Sequence, residues 1–470
     1  MTHPTLRRPK AGLLALTLEL YEQLSPGLRE DREQWLRTAV LPALASTADI
    51  RFSRAAFRRE DIDAIVAEHE AAGVDALVVM CLTYSPSQIA LPALKHTRLP
   101  ILLWNTQELE SVDATFDAEK IGPNHGVHGT QDLANVLTRS EVPFHYVTSH
   151  LHDAEPVAAI GELFFAAAAV ADLRRLRLGL LGYPFPGMGD FAVDTTHMAA
   201  TLGCSWMPVP IDDYIHRASA AAAETVDQLA AEYRASYAVA NDVTESDLAT
   251  TARSELSLRS LIEEHRLDAM SFQFTALGDD ERTETLPFVA VSRFMADGVG
   301  FAGEGDLVGA AGTWFLNRLC SPATFNEIFT IDFGGNALFV SHMGEANVAM
   351  ARKGRKVPLV ARSSPIARTR SRQLALVTTF EPGPATLCAL AIGPRQRWRL
   401  IASPMQIAEY GPIAGLEVPH GKIIPSTDVR QWLTAYAQAG GPHHNAICFG
   451  DARARLKVAA RLLGADYCEV

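Results

Sequence analysis

Twice within its first 325 residues the chain repeats one arrangement, a short apolar run followed by a longer stretch with apolar residues at helical spacing. Short runs that lack polar alternation bury both faces, and the helices between them supply the crossovers, so the pattern demands parallel sheets covered by helices. In the first block, residues 13–20, 76–82, 100–104 and 144–148 are the expected strands, and 31–44, 60–72 and 131–137 the expected helices. An alanine-rich helix at 154–173 is expected to close it. A second block starts with the strand LRLGLLG at 176–182 and continues with strands at 204–211 and 269–274 and helices at 216–233 and 245–265. After about residue 325 the texture changes: strand-like runs at 329–333, 337–341, 374–379, 385–392 and 398–402 follow one another through Gly and Pro turns. The expected fold class is therefore α/β, two doubly wound parallel-sheet domains (1–172 and 173–325) followed by a mainly antiparallel β domain (326–470), with a helix at 428–439 and a short strand at 446–449 near its end.

Three domains also suit 470 residues, at roughly 100–200 residues each. Lys plus Arg against Asp plus Glu gives 42 − 54 = −12. That field repels phosphate backbones and anionic membrane surfaces, which argues against nucleic acid or membrane partners and is indifferent to a small neutral ligand. The six cysteines, at 81, 204, 320, 388, 448 and 468, form no CxxC pair or cluster, so neither a zinc ribbon nor a disulfide framework is expected. The basic leader 1–10 is followed by no apolar stretch of export or membrane-spanning type, and a cytoplasmic location is the default expectation. Basic stretches at 352–355 and 362–372 are expected to be solvated surface loops.

Four segments carry chemistry. Gly300-Phe301-Ala302-Gly303-Glu304-Gly305-Asp306 puts two carboxylates in a glycine-rich turn before a helical pattern, where Asp306 is placed to cap that helix. Thr324-Phe325-Asn326-Glu327 and Ser341-His342-Met343 flank a hairpin through Gly334-Gly335-Asn336, which makes Glu327 and His342 neighbours. Ala439-Gly440-Gly441-Pro442-His443-His444 sets a histidine pair before a strand, and on an extended chain adjacent residues face opposite ways, so one ligates while the other points elsewhere. Carboxylates with one or two imidazoles and open water positions suit Mn²⁺, Co²⁺ or Mg²⁺.

In order and approximate spacing, GFAGEGD (300–306), TFNEIFTIDF (324–333), SHM (341–343) and AGGPHH (439–444) resemble the metal-site motifs of the L-arabinose isomerase and L-fucose isomerase family. The resemblance implies a metal-dependent aldose–ketose isomerase acting on a pentose or deoxyhexose through a cis-enediol. It implies Glu304, Glu327, His342 and His444 as metal ligands, with Glu304 and Glu327 also the catalytic acid and base. It further implies substrate contacts from His128, in the HGVHGT segment 125–130, from Tyr84 in a Tyr-Ser-Pro turn, and from Met188 and Phe274. In that family the loop histidine reaches a neighbouring subunit's sugar, which implies a homo-oligomer, a trimer or hexamer. Two departures fall near the sugar. TLELY at 17–21 lacks the family's glutamine-bearing turn, and Leu307-Val308 replaces its aromatic and basic pair. A metal-dependent epimerase or aldolase, or a non-catalytic sugar-binding protein on the same scaffold, are the alternative readings.

Overall fold

A computed structural model describes residues 6–363 and 367–470; residues 1–5 of the basic leader and 364–366 of the second basic stretch lie outside the described residues. The chain divides into two compact units, Arg7–Ala171 and Asp172–Val470.

The first unit is built on a parallel sheet in the order Asp49–Arg51, Lys10–Leu16, Ala76–Cys81, Ile101–Asn105, Phe144–Thr148, with Ala55–Ala56 also pairing Lys10–Leu16. Its central strands are buried along almost their whole length, as a sheet covered on both faces requires. The first strand stops at Leu16, and Glu19–Leu24 is a helix. The apolar run continues past the sheet, which leaves Leu20 half exposed. Helix Ala154–Leu173 is the one described helix long and apolar enough to cross a membrane, and 56% of that apolar stretch is buried inside the protein.

Among the described residues, the second unit holds three sheets. Gly300–Ala302, Ala269–Phe272, Arg177–Leu181 and Ser205–Val209 form a parallel sheet. The helical pattern expected at 216–233 is two helices, Ile211–Ser219 and Ala223–Ser236: the first ends at Ala220, whose N–H closes on the His216 carbonyl, and the backbone is extended at Ala222 (φ −64°, ψ 132°) before the second begins. The antiparallel strands run in the order Gly383–Ile392, His444–Phe449, Ala323–Asp332, Ala337–Ser341, His420–Pro425, Trp398–Ile407. Gly383–Ile392 and Trp398–Ile407 also pair with each other, so the sheet closes into a barrel, with Asp466–Glu469 added in parallel outside. Closure removes the open edges an antiparallel sheet would otherwise expose. Leu338, Val340, Leu387, Ile401, Ile423 and Trp432 are among the residues packed in this core. The run expected at 374–379 does not join the barrel: Gln373–Leu376 pairs with Pro358–Arg362, which pairs in turn with Ala238–Val239. Arg362, expected in a solvated loop, ends a strand and is partly buried.

Candidate metal and sugar site

Three local structures bring the polar groups of the second unit together. The first is the turn after strand Gly300–Ala302. Glu304 itself adopts a left-handed conformation (φ 62°), and Gly305 follows at φ 79°. An L-residue in that region carries a cost of roughly 1–3 kcal/mol, and such outliers concentrate at functional sites. Surrounding contacts hold it there. Phe185 N–H donates to the Glu304 carbonyl (2.8 Å), and a Cβ on Gly305 would lie 2.4 Å from the Tyr183 carbonyl oxygen. Only glycine fits at 305. Asp306 then caps helix Leu307–Leu319, its Oδ1 accepting from the Gly309 N–H at 2.7 Å.

The second is the pairing of Ala323–Asp332 with His444–Phe449, in which Glu327 stands directly opposite His444 and Asn326 opposite Asn445. The buried asparagines hydrogen-bond each other (3.0 Å). A one-residue slip would turn every side chain to the other face, so this pair helps lock the register that puts Glu327 and His444 side by side. The expected hairpin is present, with Glu327 opposite Ser341 and His342 one residue beyond.

The third is the loop between Arg177–Leu181 and helix Thr195–Leu202. Asp190 accepts from His443 Nδ1 at 2.5 Å and from the His443 N–H at 3.0 Å. The Phe191 ring lies parallel to that of His444, 5.2 Å away, and Phe325 meets both His342 and His444 edge-on.

Glu304, Glu327, His443 and His444 each offer one ligand atom, and these all lie within 4.8 Å of one another. His444 Nε2 is 3.2 Å from Glu327 Oε1 and 3.5 Å from Glu304 Oε2, while its Nδ1 faces Asp306 Oδ2 at 2.9 Å. His443 Nε2 lies 3.5 Å from Glu327 Oε1 and 3.8 Å from Glu304 Oε2. His342 stands at the edge, its Nε2 3.8 Å from Glu327 Oε2 and its Nδ1 2.6 Å from the buried Glu345 carboxylate. Both adjacent histidines therefore turn inward, contrary to the alternation expected of them. The strand begins only at His444, so His443 sits in the preceding bend, where alternation does not apply.

Burial alone would raise the Glu304 carboxyl, but the His443 and His444 imidazoles outweigh it and hold it down at about 2. Glu327 is lowered in the same way against its own burial, chiefly by His444. Burial opposes a charged His444, yet Asp306, Glu304 and Glu327 raise it well above its usual value. Glu345 overcomes burial to raise His342, and Glu304 leads the groups that raise His443.

Whether these residues fit a divalent cation is answered by their unmatched atoms. Glu304 Oε2, His342 Nε2 and His444 Nε2 are buried with no hydrogen-bond partner among the described residues. Each buried, unsatisfied polar atom costs roughly 1–3 kcal/mol. Two carboxylates and two or three imidazole nitrogens facing one point are a donor set that a divalent cation satisfies. The outer atoms are already engaged, with Asp306 on His444, Glu345 on His342 and Asp190 on His443, the usual orientation of metal-binding imidazoles by carboxylates. None of these three carboxylates was assigned that role from sequence. The only signal was the cap position of Asp306, which explains one of its oxygens and not the other.

The remaining sequence candidates are distributed as follows. Phe274 opens helix Phe274–Gly278, 5.9 Å from Phe185, and lines a cavity beside Glu304 and His342. Met188 lies half-buried in the Asp190 loop, its N–H donating to the Phe185 carbonyl at 3.3 Å. Tyr84 and His128 belong to the first unit, their ring centres 4.8 Å apart, and His128 Nδ1 is 3.0 Å from His125 Nε2. His128 stands in the first turn of helix Gly126–Arg139 and not in a loop, because Gly126 and Gly129 let that turn pack against Cys81 and Ser85, where a Cβ would clash.

Comparison with known proteins agrees along the chain. Family models described as the N-terminal, central and C-terminal domains of L-arabinose isomerase match residues 34–175, 187–320 and 322–466. Among curated proteins, the L-arabinose isomerase of Acidothermus cellulolyticus is 29% identical over 415 residues, covering 84% of this chain and 81% of its own. That of Nocardioides sp. is 29% identical over 380 residues (78% and 74%), and that of Mycolicibacterium smegmatis 28% over 405 (83% and 78%). A solved solute-binding protein from Actinobacillus succinogenes, with bound D-allose, overlays with a TM-score of only 0.16 at 16% identity over 57% of this chain and 79% of that chain, too low to bear on fold or ligand. With three consecutive domain models spanning nearly its whole length, the chain belongs to the L-arabinose isomerase family, a family of sugar isomerases that interconvert aldose and ketose.

Proposed function

We propose that this isomerase depends on a divalent cation, Mn²⁺ or else Co²⁺ or Mg²⁺, held by Glu304, Glu327, His342 and His444, and that it works through a cis-enediol. The observation that carries this reading is the grouping of Glu304, Glu327 and His444, with His443, within 4.8 Å, His342 lying 3.8 Å from Glu327, and the buried ligand atoms of Glu304, His342 and His444 left without a hydrogen-bond partner among the described residues. When bound, such a cation polarises the sugar carbonyl and steadies the neighbouring oxygens. The protein's part is proton movement. One of the two glutamates removes the proton from C2 of the open-chain aldose and the other serves the oxygens, after which the proton returns at C1. Both are held low in pKa without the metal, so both start as carboxylates. Asp306 and Glu345 fix the imidazoles of His444 and His342 through their Nδ1 atoms, leaving Nε2 directed inward. Phe274 and Met188, with Tyr84 and His128, are proposed as sugar contacts, His128 serving a neighbouring subunit of a cytoplasmic homotrimer or hexamer.

The test is a panel of pentoses and 6-deoxyhexoses, L-arabinose first, incubated with protein and Mn²⁺ and assayed for ketose. Ketose from at least one sugar, lost on chelation and restored by Mn²⁺, is the expected result. An epimer or a cleavage product in its place, or full turnover in the presence of a chelator, would overturn the proposal.

A further inference from the structure

Two histidines and a tyrosine of the first unit form a hydrogen-bonded row that the proposed chemistry leaves unexplained. Helix Gly126–Arg139 starts hard against the end of strand Ala76–Cys81: a Cβ on Gly126 would lie 2.2 Å from the Cys81 carbonyl oxygen, and one on Gly129 2.9 Å from the Ser85 nitrogen. His125 at the N-cap and His128 one turn on share a helix face, with His125 Nε2 3.0 Å from His128 Nδ1. On its other side, His125 Nδ1 lies 3.2 Å from the hydroxyl of Tyr21, which helix Glu19–Leu24 supplies. Tyr84 packs against the His128 ring, 4.8 Å between centres. Tyr21 and His125 are half-buried, and His128 is exposed at the end of the row.

A neutral imidazole carries one donor and one acceptor, so fixing the proton at one end of such a row fixes it along the whole length. Burial, and then the neighbouring His128, push His125 below its ordinary pKa, which keeps that ring neutral at neutral pH. A phenol O–H is a more acidic donor than a neutral imidazole N–H, and an imidazole nitrogen is a stronger acceptor than a phenol oxygen. Tyr21 therefore donates to His125 Nδ1, His125 Nε2–H donates to His128 Nδ1, and His128 carries its own proton on Nε2. Resting on the reading that His128 contacts the sugar, we propose that Tyr21 and His125 are positioning residues: they hold the His128 ring in its Nε2–H tautomer, so that it meets a sugar hydroxyl oxygen as a hydrogen-bond donor. Neither touches the sugar, and each acts through His128. A His128 that accepted from the sugar would need the row reversed, with the phenol oxygen as its weak final acceptor.

The experiment is a pair of double-mutant cycles on Mn²⁺-loaded enzyme with the preferred aldose of the panel, Tyr21→Phe and His125→Leu each made in wild type and in His128→Ala. In wild type each is expected to raise KM roughly 3- to 10-fold, the worth of one hydrogen bond, with a smaller change in kcat. His125→Gln, whose side-chain amide still donates to His128 Nδ1, should recover most of the loss. In the His128→Ala background neither substitution should have any further effect. Losses of the same size in both backgrounds, or none in wild type, would overturn the proposal. If His128→Ala behaves as wild type, or no sugar yields ketose, the reading on which the proposal rests fails by itself. Solid-state ¹⁵N resonance spectra of histidine-labelled protein, with the His128 signals identified by their loss in His128→Ala, then decide on Tyr21 and His125. A single Nε2-protonated His128 in wild type that becomes a mixture of tautomers in Tyr21→Phe supports their role; a proton on Nδ1 in wild type, or the same single tautomer in both, refutes it.

Discussion

Replacing Glu304 or Glu327 by glutamine is expected to lower kcat for ketose formation by roughly 10²- to 10⁴-fold, the range for losing a positioned proton carrier. Glutamine keeps the volume and hydrogen-bonding capacity of each side chain but cannot take up a proton at neutral pH. Structural damage should be small. Glu327 lies in a strand whose register is set by its neighbours, Asn326 and Asn445 among them, and Glu304 is held by backbone contacts of the turn that its side chain does not make. The circular dichroism spectrum and melting temperature should therefore stay near those of wild type while initial ketose rates collapse. Turnover within three-fold of wild type in both variants would remove the two carboxylates from proton transfer.

A loss of the second kind is expected far from the chemistry, at Glu255→Ala. Glu255 is fully buried in helix Glu245–His265. One carboxylate oxygen accepts from Tyr233 Oη (2.8 Å), and the other from Arg293 Nε (3.1 Å) and Arg259 Nη2 (2.9 Å). Arg293 is itself buried, and of its other groups Nη2 reaches Glu232 at 2.7 Å and Nη1 the Tyr237 hydroxyl at 3.2 Å. Burial alone would make Arg293 easier to deprotonate, and Glu255 leads the neighbours that reverse this and keep it charged. Truncating Glu255 leaves the buried Arg293 with Glu232 as its remaining carboxylate, so the cost should fall toward the lower end of the roughly 3–5 kcal/mol for breaking a buried pair, whereas Glu255→Gln keeps an acceptor and should cost less. Because helices Ala223–Ser236 and Phe288–Ala296 both meet Glu245–His265 here, the deficit should appear as an earlier unfolding transition in calorimetry. A transition within about 1 kcal/mol of wild type, by the general standard for tolerated substitutions, would show that the network is dispensable.

The sequence made the architecture legible wherever burial imposes a period. Continuous apolar runs marked the parallel strands, and their replacement by short runs and turns after about residue 325 marked the antiparallel part. What escaped depends on contacts that no period records. Strand Gly300–Ala302 is three residues long and hidden in a glycine-rich motif read as a turn. Barrel closure rests on one hairpin returning to complete the ring, Gly383–Ile392 against Trp398–Ile407, a matter of curvature and not of composition. At the site, Glu304, Glu327, His342 and His444 were assigned through the resemblance of their motifs to those of the family; the structure draws Glu304, Glu327 and His444 together with His443, and leaves His342 at the edge, 3.8 Å from Glu327. His443 was set aside on a rule of strand alternation that fails one residue before the strand begins. Asp190 and Phe191 lie some 250 positions upstream of the histidines they contact, in a loop with no pattern of its own, and Arg362 was taken for surface because neighbouring arginines resemble a solvated stretch.

The account depends above all on Glu304, Glu327 and the imidazoles binding one cation between them. Titrating the chelator-stripped protein with Mn²⁺, and following free Mn²⁺ by electron paramagnetic resonance, measures this directly. The prediction is one tight Mn²⁺ per chain in wild type and loss of that site in the Glu304→Ala, Glu327→Ala double variant. No tight Mn²⁺ in wild type, or an undiminished site in the double variant, would contradict it.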